Sequence, residues 1–166
     1  MSQLIPFNPS NLANFTFQPV LDGSTYNAVV TWNAYAGRYY LGIYSQQNVL
    51  QVYTPLISSP DPVTMNADEI GSNGLILANR NAGVIPGMTV MGPGVPVGQV
   101  VSVIAVEQGV AYLSQPVQES AADEANETAG QEANETYTFT YSINLVKGYF
   151  GTPLVFRGCS QQFEIG

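Results

Sequence analysis

Val84-Ile-Pro-Gly-Met-Thr-Val-Met-Gly-Pro-Gly-Val-Pro-Val-Gly-Gln-Val-Val101 sets short runs of Val, Ile and Met between Pro and Gly at close intervals. Pro lacks the amide donor a helix needs, and Gly adds backbone entropy, so this stretch is not helical. It reads as tight turns joining very short strands. Four strands are expected around it: Leu75–Ala78, Met88–Met91, Gln99–Val106 and Val110–Leu113. Pro86, Gly92-Pro-Gly94, Pro96-Val-Gly98 and Gln108-Gly109 supply the turns.

The flanks have another texture. Tyr26-Asn-Ala-Val-Val-Thr-Trp32 alternates Tyr26, Ala28, Val30 and Trp32 against Asn27, Val29 and Thr31. Tyr39–Tyr44 and Val49–Tyr53 follow, and Tyr137–Leu145 alternates for nine residues. Period-two alternation rich in aromatic and β-branched residues marks half-buried strands, usually antiparallel. Asp22-Gly23 and Ala36-Gly37 fit hairpin turns, and a last short strand is expected at Leu154–Phe156. The expected fold is all-β: a small antiparallel sandwich or barrel-like domain formed by 1–59 and 137–166, interrupted by an inserted β module at 60–136. The Glu-Ala-Asn-Glu-Thr repeats at 124–128 and 132–136 make 119–136 a loop-like tail of that module. On this reading Val49–Tyr53 and Tyr137–Leu145 become sheet neighbours.

Charge divides the chain the same way. Between Ser58 and Thr136 lie ten of the twelve acids and one base, a net charge of −9, while the flanks together carry +1. Clustered Lys and Arg, which phosphate contacts require, are missing, so nucleic acid is not an expected partner. Charged residues make up only 10% of the chain, against roughly 25% in ordinary globular domains. A surface so poor in charge suits a subunit covered by neighbours.

The chain has no His and one Cys, Cys159. The commonest general base, the commonest metal ligand and any disulfide within the chain are therefore absent. Cys159 is expected half-buried at the end of a strand, and the Asp68-Glu69 pair is expected to cap a turn. No catalytic residue, cofactor or metal is assigned, and no membrane-spanning run is present.

Two resemblances follow from the motifs. Leu21-Asp-Gly-Ser-Thr-Tyr26, Val29-Val-Thr-Trp-Asn33, Arg38-Tyr-Tyr-Leu-Gly-Ile-Tyr44 and Gly148-Tyr-Phe-Gly-Thr-Pro-Leu-Val-Phe156 resemble the baseplate plug family of contractile-tailed bacteriophages. Ile85–Gly98 with Val110–Ser114 resembles a β module of phage virion proteins, departing from it at Val95, Gln99 and Ala111-Tyr112. These resemblances imply a structural virion protein, not an enzyme, located in the tail and assembled in the host bacterial cytoplasm. They also imply multiple copies contacting other tail and baseplate proteins. Large aromatics anchor such contacts; the candidates are Tyr35, Tyr39, Tyr40, Tyr149 and Phe150, with Trp32 expected in the core. The alternative is a carbohydrate- or receptor-binding module of the tail tip using Tyr39 and Tyr40.

Overall fold

The computed structural model describes residues 3–70, 73–80, 83–117 and 135–166. The chain divides into two compact units, one of residues 1–61 and 142–166, the other of 62–141. Among the described residues every regular element is a strand. Most of the repeat-bearing segment expected to be loop-like lies outside the described residues.

The first unit contains β1 (Gln3–Pro6), β2 (Phe15–Phe17), β3 (Val20–Leu21), β4 (Ser24–Thr25), β5 (Asn27–Asn33), β6 (Arg38–Tyr44) and β7 (Leu50–Pro55). After the second unit come β14 (Leu154–Arg157) and β15 (Gln162–Ile165). They form a four-stranded sheet ordered β2-β5-β6-β7, a three-stranded sheet ordered β1-β15-β14 and the small β3-β4 hairpin. Alternation does its expected work: Ala28, Val30, Leu41, Ile43 and Val52 face one core shared with Leu154, Phe156, Phe163 and Ile165. Phe7 is the hub of this core. Its ring meets Phe15, Tyr39, Phe156 and Phe163 at near-perpendicular angles and centroid distances of 5.1–5.7 Å, the edge-to-face arrangement that aromatic quadrupoles favour. Asp22 and Gly23 have φ of 48° and 76°, as a two-residue hairpin that matches strand twist requires.

The second unit is a closed antiparallel barrel, ordered β10-β11-β12-β9-β8-β13. Its strands are β8 (Val63–Ile70), β9 (Gly74–Leu77), β10 (Thr89–Met91), β11 (Val101–Glu107), β12 (Val110–Leu113) and β13 (Glu135–Thr140). Closure leaves no unpaired edge. The interior is filled by Ala67, Leu75, Leu77, Met88, Val90, Val101, Val103, Ala111, Leu113, Tyr137 and Phe139. The Pro-Gly turns occur as read. Gly87, Gly94 and Gly98 have φ of 92°, 66° and 81°, and amide-to-carbonyl bonds Met88→Ile85, Val95→Gly92 and Gln99→Pro96 close four-residue turns. A positive φ at the third turn position is the condition only Gly meets cheaply.

Several expectations change. The strand expected at Tyr137–Leu145 ends at Thr140 and pairs with β10 and β8, while β7 pairs with β6, so the expected β7 neighbour is not there. The alternation runs unbroken because Tyr137 and Phe139 fill the barrel while Leu145, past the crossing, fills the sandwich core. Asp68 and Glu69 lie within β8 rather than in a turn. Cys159 is exposed, in the turn between β14 and β15. Trp32 is exposed near the end of β5, its ring set against Tyr39 at 4.8 Å.

Both crossings of the chain out of the first unit are tied by one side chain. Arg157, 3% exposed, donates from Nε and Nη2 to Glu164 Oε2 at 3.0 and 2.8 Å. Nη1 reaches the Pro60 carbonyl at 2.9 Å and Nη2 the Ser142 hydroxyl at 2.8 Å. Ser59 reinforces the tie: its Oγ accepts from the Ile143 amide at 2.8 Å, and its own amide donates to the Phe156 carbonyl. Replacing residues 62–141 by a short Gly/Ser linker is expected to leave a folded sandwich with a cooperative thermal transition; a non-cooperative, aggregating product would refute this. Arg157→Met leaves Glu164 unpaired and two crossing groups without a donor. Because Glu164 and Ser142 reach solvent, it is expected to destabilise the protein by about 1–3 kcal/mol in denaturant melts, and an unchanged midpoint would contradict the clamp.

Candidate assembly surface

The outward face of the four-stranded sheet is rich in tyrosine, and the exposed Arg38 at the start of β6 brings a charge to one end of it. By strand alternation it carries Thr16, Val29, Thr31, Tyr40, Gly42, Tyr44 and Tyr53, opposite in sense to the buried Ala28, Val30, Leu41 and Val52. Tyr40 and Tyr53 stack at 5.1 Å with ring planes 10° apart. Tyr44 lies over Gly42, where an added Cβ would meet its ring at 2.8 Å. Gly42 therefore gives up a side chain so that an aromatic ring can cover the backbone. From Tyr39 to Pro60 there is no charged residue.

Tyr35 sits at the tip of the β5–β6 turn and is fully exposed. Asn33 Oδ1 accepts the Ala36 amide at 3.0 Å, and Gly37 turns the chain back at φ 61°. A rigid local turn thus displays Tyr35 away from the core. Tyr39, by contrast, is committed inward against Phe7 and Trp32. Tyr149 is exposed, whereas Phe150 packs on Tyr26 at 4.9 Å. The sequence candidates thus divide: Tyr35, Tyr40 and Tyr149 present surface, while Tyr39 and Phe150 mainly support it. Sequence reasoning missed Tyr44 and Tyr53, although the buried Val52 beside Tyr53 fixes the outward parity.

The loop bearing Tyr149 is held by Asp22. Its carboxylate accepts from the Gly151 amide at 3.0 Å and from the Thr152 amide and hydroxyl at 2.7 and 2.9 Å. The Asp22 amide returns a bond to Thr152 Oγ1 at 2.9 Å. These bonds, the Gly151 amide first, hold the carboxyl below its usual 3.8. In the barrel, burial and then the bond to Glu69 at 2.9 Å push the Tyr137 phenol well above its ordinary value.

A shallow depression of about 130 Å³ is lined by Ser142, Pro153, Val155, Arg157, Glu164 and Gly166, and its one cation and one carboxylate are paired with each other. Pockets for drug-sized ligands are roughly 300 Å³ or more. Among the described residues no group of three or more Cys, Asp or Glu is placed to hold a metal ion.

A family model described as Cyanophage baseplate Pam3 plug gp18 matches residues 2–92, 91 of the 166 residues. The chain belongs to this plug family. The matched part spans β1–β7 and the start of the barrel, β8–β10; the resembling stretch Gly148–Phe156 lies beyond it. No curated protein and no solved structure matches the chain. Membership in a baseplate plug family makes this a phage baseplate structural protein, with a virion tail location and other baseplate proteins as its partners.

Folding lowers the Asp22 pKa, so its contribution is present above the unfolded value of about 4 and is lost as pH falls through the folded value. Asp22→Asn is expected to melt below the parent at pH 7, with the gap narrowing at pH 3. A gap independent of pH would count against the ion's role.

Proposed function

We propose that the protein is a structural component of a contractile bacteriophage tail that assembles in or next to the baseplate hub by protein–protein contact, without catalysis. The observation that carries this reading is the tyrosine face of the four-stranded sheet, charged only at its Arg38 end, together with the exposed Tyr35 and Tyr149. Residues 1–61 with 142–166 carry three acids and three bases, a net charge of zero, whereas 62–141 carries nine acids and one base. A neutral, tyrosine-rich surface loses little on desolvation and gains contact area from rigid rings. The sandwich is therefore the assembling unit, present in several copies in a symmetric particle, and the barrel is a domain inserted into it.

A second reading is favoured by the stacked Tyr40–Tyr53 pair, which offers an aromatic platform of the kind a sugar ring packs against. The expected result of cryo-EM on virions is density for the chain at the baseplate with Tyr53 and Tyr35 against a neighbouring subunit. Tyr53→Asp and Tyr35→Asp are expected to keep the parental melting temperature and to be depleted at least about tenfold from purified virions, the effect of losing one interface anchor. Glycan binding by the isolated protein, with both variants incorporated normally, would favour the second reading instead.

A further inference from the structure

Among the described residues, the connection between β10 and β11 is the most exposed apolar feature of the barrel. Val97 is fully exposed, Met91 and Val100 are 66% and 74% exposed, and no charged residue occurs from Asn81 to Val106. Val90 pairs with Val101, which brings Met91 and Val100 together at the root of the loop, with Val97 further out.

This loop is built, not slack. Two hydrogen-bonded turns close it, and Pro93 and Pro96 restrict its backbone. Val95 turns inward and packs on the barrel core. Gly92 lies so close to Tyr137 that an added Cβ would meet the ring at 2.4 Å. A loop so restrained loses little conformational entropy when it binds, and isolated exposed valines would need no such support.

Negative charge stands at its foot. The hydroxyl of the same Tyr137 lies 2.9 Å from Glu69 Oε1 and 3.2 Å from Glu135 Oε2. The loop therefore combines an apolar, uncharged tip with a carboxylate collar on a unit whose net charge is −8. That charge repels anionic lipid surfaces and a second copy of the same unit. The complementary surface is an apolar recess rimmed by Lys and Arg.

We propose that the Met91–Val100 loop is a docking plug that inserts into an apolar, basic-rimmed recess of another baseplate protein, a contact separate from the tyrosine face of the sandwich. This rests on the baseplate reading above.

The test uses virions assembled from a phage genome encoding each variant. Val97→Asp with Val100→Asp is expected to melt as the parent does and to fall at least about tenfold in virion content. Val97→Asn with Val100→Ser is a milder pair should the first lower the melting temperature. A photo-crosslinking residue at position 97 is expected to yield an adduct with another virion protein. The same residue at position 108, in the β11–β12 turn at the opposite end of the barrel, is expected to yield none. Parental incorporation of the valine variants, with no adduct at 97, overturns the docking loop and leaves the baseplate reading standing. Absence of the parent chain from virions overturns both. Flotation of the purified protein with phosphatidylcholine vesicles, lost in the valine variants, would assign the loop to lipid and overturn the protein partner.

Discussion

Arg157 is the constraint that ties together the two cut ends of the first unit. A continuous sandwich is interrupted by eighty residues, 62–141, and its two cut ends must be held together if its sheets are to close. A guanidinium suits that task because it presents several donors in a fixed plane. One edge is used on Glu164, leaving donors for the Pro60 carbonyl and the Ser142 hydroxyl. Burying this cation is tolerable because each direction it points in meets an acceptor. The inserted barrel can then vary without asking anything of the sandwich core around Phe7.

The two units divide physical labour. The sandwich is electrically neutral, carries its tyrosines on an outward sheet face, and sets its display loops with short-range bonds such as Asp22 to Thr152. The barrel carries the negative charge and closes on itself, which protects it from edge-to-edge association. Among the described residues its most exposed apolar side chains, Val97 and Val100, lie in the β10–β11 connection.

Much of the fold was legible. Alternation and β-rich texture located β5, β6 and β7, Pro153 and Gly158 bracketed β14, and Pro-Gly spacing located β9 to β12 with their turns. Other strands were hidden for physical reasons. In Val63-Thr-Met-Asn-Ala-Asp-Glu-Ile70 the inward residues Val63, Met65 and Ala67 include small or flexible side chains, and Glu69 completes their parity, so β8 looks polar. β1, β2 and β15 have three or four residues each, too few for periodicity to rise above chance. Asp22-Gly23 was readable as a turn, but nothing near it in sequence points to Gly151 and Thr152, about 130 residues away.

From the amino-acid order alone come the all-β class, the turn chemistry, the acidic middle and the absence of His. These are local or compositional properties, set by φ restrictions, side-chain period and residue type. Only the tertiary structure decided that Tyr137 and Phe139 serve the barrel while Leu145 serves the sandwich, that Trp32 and Cys159 are exposed, and that Tyr53 stacks on Tyr40. A period-two pattern states which side chains share a face, yet it carries no information about which strand will lie alongside or which core that face will meet.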